Sequence, residues 1–256
     1  MVLISATDLF IGTEMTVHLF HNLQQWQWRS WSLCKAGFAP LLQVPDLPLL
    51  AADYSIEWPA QIVQAVPKRQ AEYLAARLLL RRLQQQLGLT PAQILPGADR
   101  SPLWPAGQQG SVSHSGDSVL VGLGNSVGLR LGVDLEQWLT AAQYQELAPA
   151  ILSAAEQQWC LRNNDNMASS QQLTLIFAAK EALYKALYPD CRQIMEFSAA
   201  RVLAITPSQI LLQLTQDWSA EWAAGNEIWL EYQTSPHGVQ VLTEVSSRTA
   251  ASNEGV

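Results

Sequence analysis

Asp134 and Glu136 stand two residues apart in the segment VGLRLGVDLE, where Val127, Leu129, Leu131, Val133 and Leu135 alternate with Gly128, Arg130, Gly132, Asp134 and Glu136. Alternation of this kind reads as a strand with an apolar core face and a small or charged face. On that second face the two carboxylates project together, about 7 Å apart at the backbone, so one cation can bridge them. Gly132, bare of a side chain on the same face, leaves room for an ion or ligand beside Asp134. An ordinary solvent-facing strand accounts for the same residues.

A second set lies in FAAKEALYKAL. At ~100° per residue, Phe177, Lys180, Glu181, Tyr184 and Lys185 span one arc of a helix, and Ile176, Ala179, Leu183 and Leu187 form its buried stripe. Glu181 and Lys185 are neighbours at i, i+4, a spacing equally typical of a surface ion pair. Three carboxylates from two elements, without matching His or Cys, make an all-oxygen donor set suited to a hard cation such as Mg²⁺.

The third set is basic. Lys68, Arg69, Arg77, Arg81 and Arg82 are five of the fifteen lysines and arginines, and Arg69, Tyr73, Arg77 and Arg81 step by four along one stripe. The planar arginine fork suits phosphate, so this stripe reads as an anion-binding surface, with a solvated face as the alternative. His114, among Ser111, Ser113 and Ser115 in GSVSHSG, offers further donors to a phosphate, or is a core histidine bonded to backbone. No G-x-S-x-G elbow supports a serine hydrolase. Gly122, Gly124 and Gly128 approach a dinucleotide fingerprint, but a strand follows where that motif needs a helix, and Gly124-Asn125 reads as a hairpin turn.

Several elements must carry these groups. KRQAEYLAARLLLRRLQQQL, from Lys68 to Leu87 and closed by Gly88 and Pro91, is a helix with its stop signals. Residues 22–67, with five prolines and no lasting period, read as short strands and loops. VSHSG and SVLVGLG read as strands. Helices are expected around Ala141–Ala148 and from Ser153 to Arg162, where Ser153 and Glu156 make a capping box. NNDNMASSQQ reads as a loop. The helix from about Leu173 to Leu187 should stop before Pro189. RVLAI, QILLQL, EIWLEYQT and GVQVLTEV complete the strands, and the tail should fray.

The chain has 256 residues, 48% hydrophobic and only 14% charged, which excludes a disordered polyelectrolyte. A net charge of −7 argues against broad nucleic-acid binding, so a phosphate ligand needs a local basic cluster or a metal. No run of 18 apolar residues occurs and no basic n-region opens the chain, so neither membrane insertion nor export is expected. Cys34, Cys160 and Cys191 are odd in number and too far apart for a zinc or redox pair, which fits the cytoplasm. Each half carries a long helix and several strands, so two similar α+β units divided near residues 125–130 are expected.

Taken together, GVDLE at 132–136 followed about forty residues later by FAAKEALYKAL resembles the signature of the 4′-phosphopantetheinyl transferases, in the larger Sfp-type branch. KRQAEYLAARLLLRRL is similar to that family's early basic helix, SPLWP to its proline-containing turn and GSVSHSG to its serine-histidine-serine strand, so the resemblance covers roughly residues 67–190. Ala178 and Ala182 depart mildly from relatives with small hydroxyl residues there.

The resemblance implies an α+β fold of two similar halves about a pseudo-twofold axis, with coenzyme A and Mg²⁺ between them. Residues 1–127 would form the half on the 3′-phosphate side, 128–245 the half with the metal motifs, and 246–256 a flexible tail. It further implies Asp134, Glu136 and Glu181 as metal ligands, and Lys180 and Lys185 facing the diphosphate. His114 would contact a coenzyme phosphate, with Lys68, Arg69 and Arg77 on the 3′-phosphate side. Glu181, or a metal-bound water, would take the proton of a serine on an acyl- or peptidyl-carrier protein, and Lys185 would steady the phosphoryl group in transfer. A monomer is expected. A non-catalytic coenzyme A or carrier-binding homologue and a Mg²⁺-dependent nucleotide diphosphate hydrolase are the alternatives.

Overall fold

The computed structural model describes residues 18–163 and 167–247. The chain divides after Val127 into two compact units, each α+β.

In the first unit, β1 (His21–Trp28), β2 (Trp31–Gly37), β3 (Gln109–Ser115) and β4 (Ser118–Gly124) form an antiparallel sheet in the order β1-β2-β4-β3. Two short helices, α1 (Leu47–Asp53) and α2 (Ala60–Val63), lie in the stretch read as strands and loops. Asp46 caps α1 by accepting the Leu49 amide, a signal too brief to show as a period. The long helix α3 (Pro67–Gln86) opens on a proline that supplies its own helical φ. Leu74, Leu79, Leu80 and Leu83 on α3 pack with Cys34, Val119, Val121 and Leu123 in a closed core. Burying each such leucine contributes about 1.5–3 kcal/mol.

The second unit holds β5 (Leu129–Gln137), β6 (Ala200–Ile205), β7 (Gln209–Leu214), β8 (Glu227–Ser235) and β9 (Gly238–Ser246) in an antiparallel sheet of order β5-β9-β8-β7-β6. Helices α4 (Ala141–Ile151) and α5 (Ala154–Arg162) both start from capping boxes, Thr140 with Gln143 and Ser153 with Glu156. The helix α6 (Ser169–Cys191) crosses the sheet, and its stripe of Ile176, Ala179, Leu183 and Leu187 is fully buried.

Four local readings need correction. β4 and β5 belong to different sheets, so Gly124-Asn125 links the units and makes no hairpin; the hairpin turn is at Gly116, whose φ of +62° favours glycine. α6 begins at Ser169, inside the expected loop, and runs past Pro189 to Cys191, where Arg192 adopts the left-handed region. β9 runs through Ser246, the first residue of the expected tail. The rest of that tail from 248, residues 1–17 and the loop residues 164–166 lie outside the described residues.

Candidate active site

The charged face of β5 is covered by α6. A Cβ on Gly132 would fall on the backbone carbonyl oxygen of Ala182, so the glycine admits a helix and leaves no open space for an ion. Ala178, Ala179, Ala182 and Ala186, all fully buried, make the helix slim enough for that approach. Two ion pairs flank the contact. Arg130 on β5 donates Nε and Nη2 to Asp190 Oδ1 at 3.0 and 2.8 Å. Lys185 Nζ donates to Asp134 Oδ1 at 2.6 Å. Lys185 is therefore engaged across to the strand as well as lying beside Glu181 on its own helix.

Asp134 is buried, while Glu136, on the same face, is partly exposed. Glu181, partly buried on α6, has its pKa raised by burial, with the Lys185 ammonium opposing and the Asp134 charge adding to the rise. Asp134 and Glu181 thus feel each other's charge across the β5–α6 contact, a repulsion that a divalent ion relieves. Among the described residues no three His, Cys, Asp or Glu side chains converge to hold a metal as they stand. The donor set still suits Mg²⁺: hard carboxylate oxygens from two facing elements, held in excess of local positive charge. A metal there competes with Lys185 for Asp134.

Lys180 departs from its expected role. It is 4% exposed, and its Nζ lies 2.8 Å from Glu156 Oε1 and donates to the Ile151 and Phe197 carbonyls at 3.0 and 2.9 Å. Burial lowers its pKa and the Glu156 carboxylate opposes that. Glu156 also accepts the backbone amides of Ser153 and Val202. Lys180 is a knot tying α6 to the ends of α4 and α5, with its ammonium enclosed by protein acceptors.

The basic helix is largely committed to its own unit. Arg77 lies over the Tyr73 ring, 4.5 Å from its centroid, and gives Nε to the Ile94 carbonyl at 2.6 Å. Burial lowers the Arg77 pKa, with Tyr73 opposing. Arg81 donates to the Tyr54 and Ser55 carbonyls, and Arg82 to Gln25 Oε1. Lys68 and Arg69 remain exposed. Arg69 Nη1 meets His114 Nε2 at 2.7 Å and Glu72 Oε2 at 3.3 Å, joining the expected phosphate residues of α3 and β3. The pairings of Glu156 with Lys180, of Arg130 with Asp190 and of Glu72 with His114 join residues whose nearness only the folded chain creates, whereas Arg69 and Glu72 are local neighbours at i, i+3.

Comparison with known proteins bears on this arrangement directly. Residues 57–122, which include α3 and β3, match the 4′-phosphopantetheinyl transferase N-terminal domain, and residues 130–237, which include α6 and all of β5 but Leu129, match the 4′-phosphopantetheinyl transferase superfamily. Enterobactin synthase component D of Salmonella typhi is 31% identical over 182 residues, covering 71% of this chain and 74% of that protein. The 4′-phosphopantetheinyl transferase Svp of Streptomyces mobaraensis is 28% identical, covering 70% of each chain. The 4′-phosphopantetheinyl transferase Npt of Nocardia iowensis is 28% identical over 210 residues, covering 80% of this chain and 86% of its own. With both family motifs carried on facing elements of the second unit and the basic helix in the first, the chain belongs to the 4′-phosphopantetheinyl transferase superfamily.

Proposed function

We propose that this enzyme transfers the 4′-phosphopantetheine arm of coenzyme A to a serine hydroxyl of an acyl- or peptidyl-carrier protein, with Mg²⁺, and releases 3′,5′-ADP. The observation that carries this reading is the meeting of Asp134, Glu181 and Lys185 at the β5–α6 contact, inside the segment matched by the superfamily. Asp134, Glu136 and Glu181 would hold the ion, which when bound neutralises charge on the diphosphate and favours departure of the nucleotide.

The chain's own groups do the rest. Lys185, paired with Asp134 as it stands, would turn its ammonium to the oxygens of the transferring phosphoryl group once Asp134 is engaged in holding the ion. Glu181, its pKa raised by burial, takes the proton of the attacking serine directly or, where its carboxylate is engaged with the ion, through a water held beside it. Lys68 and Arg69 hold the 3′-phosphate side, and His114 contacts a coenzyme phosphate. The three cysteines form no disulfide, which supports a reducing compartment such as the cytoplasm.

Incubation with an apo-carrier protein, coenzyme A and Mg²⁺, followed by intact-mass spectrometry, tests the proposal. The carrier should gain one phosphopantetheinyl group, and Asp134→Ala should abolish that gain while the protein stays folded. Release of 3′,5′-ADP without any carrier would mark a hydrolase and overturn it.

A further inference from the structure

Strand β5 and helix α6 run past each other in opposite directions, and three ties join them in order. Arg130 pairs with Asp190 at the start of the strand, and Lys185 pairs with Asp134 in its middle. Beyond the far end, the Leu139 amide donates to Thr174 Oγ1 at 3.1 Å. The extended chain from Asp134 to Leu139 covers about 16 Å, and the helix between Thr174 and Lys185 covers about the same length. The two spacings agree, so the outer ties hold a single register of strand against helix.

Thr174 is fully buried and lies two turns before Glu181, a step that returns a helix to nearly the same face. Its hydroxyl donates to the Ser170 carbonyl one turn back at 2.6 Å. That bond uses the hydroxyl hydrogen and leaves an oxygen lone pair for the Leu139 amide. β5 is an edge strand with β9 as its one neighbour in the sheet, and its ladder ends at the pair Gln137 and Gly238. Past that point Trp138 donates its amide to the His237 carbonyl at 3.1 Å and its indole to the Ser235 carbonyl at 2.9 Å. The Trp138 bonds tie the strand end to its own sheet; the Thr174 bond ties it to the helix.

We infer that Thr174 is a positioning residue for the metal centre: by fixing the end of β5 against α6, it sets the separation of Glu136, three residues before Leu139, from Glu181. This rests on the function proposed above. The middle tie is the one that an ion disturbs, because ion and Lys185 both draw on Asp134. A register held by Thr174 at one end and by Arg130 with Asp190 at the other survives that exchange, whereas one that relied on Lys185 would slacken as the ion arrives. Thr174 acts through the backbone of Leu139, so its contribution is to the spacing of the carboxylates and not to the chemistry.

The probe is Mn²⁺ added with saturating coenzyme A, the electron paramagnetic resonance signal of the free ion reporting occupancy without turnover. Thr174→Val keeps the branched shape and removes the hydroxyl, so its Kd for Mn²⁺ should rise roughly tenfold, the lower end of what supporting bonds contribute to a metal site. Thr174→Ser keeps the hydroxyl and should bind Mn²⁺ as the wild type does. Thr206→Ala, which removes the acceptor of the Gln209 amide in the β6–β7 turn, controls for lost stability: its urea midpoint should fall while its Mn²⁺ affinity holds. In turnover, the half-saturating Mg²⁺ concentration of Thr174→Val should rise, and its KM for the carrier at saturating Mg²⁺ should not. A measurement on the wild type needs no variant: hydrogen exchange at the Leu139 amide should be slow and stay slow when Mg²⁺ and coenzyme A are added. Unchanged Mn²⁺ affinity in Thr174→Val, an equal loss in Thr174→Ser or Thr206→Ala, or a Leu139 amide that loses protection on loading would overturn the inference and leave the proposed function intact. A wild-type protein that takes up no Mn²⁺ would sink the metal centre of the proposed function and this inference together.

Discussion

Single residues on α6 separate chemistry from scaffolding within two turns of helix. Lys180 and Lys185 read alike in the sequence, yet one is enclosed by Glu156 and two carbonyls and the other reaches Asp134 across the sheet. Lys180→Met leaves the Glu156 carboxylate buried without its cation and should cost about 3–5 kcal/mol. Urea denaturation would measure this, whereas a folded, fully stable variant with reduced kcat would return Lys180 to the diphosphate. Glu181 makes a pH-dependent prediction. Its pKa is raised chiefly by burial, so the folded state holds that proton more tightly than the unfolded chain. The associated stability is complete below the ordinary glutamate value and is lost as pH rises through the raised one. In metal-free solution, Glu181→Gln should therefore gain stability relative to wild type as pH climbs from the ordinary glutamate value through the raised one. Added Mg²⁺ should restore the wild type and leave the variant unchanged.

At the scale of elements, the packing of α6 on β5 decides what the motifs can do. Gly132→Ala places a methyl group on the Ala182 carbonyl. Because the obstacle is helix backbone, relief requires the whole helix to shift, and we expect about 3 kcal/mol of destabilisation with a loss of transfer activity. A normal melting temperature in this variant would refute the close approach. The same contact explains where the sequence was readable. The alternation of β5, the 3.6-residue stripe of α6 and the Ser153–Glu156 capping box are local patterns, and they appear in the structure at the positions read. The small, charged face of β5 looked open because the covering helix presents Ala178, Ala179 and Ala182, residues that pack without an apolar signature on the strand. Arg77 and Arg81 looked available for the same reason: their acceptors, the carbonyls of Ile94, Tyr54 and Ser55, carry no side-chain signal. The partnership of Lys180 with Glu156 spans 24 residues, so neither helical spacing nor strand alternation announces it.

The whole molecule consists of two units with a separate core each, and a buried thiol lies in either one. Cys34 belongs to the core of the first unit and Cys160 to that of the second. Burial pushes the Cys34 thiol up to about 12, with Arg82 opposing, and the Cys160 thiol to about 11. Both are therefore protonated and sheltered near neutral pH, and alkylation of either requires its unit to open. The stability tied to these neutral thiols is complete below the ordinary thiol value and falls only as pH rises toward those raised ones, so measurements near neutrality are free of it. Brief iodoacetamide pulses along a urea gradient, read by peptide mass spectrometry, then report each core separately. Gly132→Ala weakens a contact internal to the second unit, so the Cys160 midpoint should fall while the Cys34 midpoint holds. If both midpoints fall together, the two cores melt as one cooperative body and the stability of the β5–α6 motifs cannot be tuned apart from that of α3.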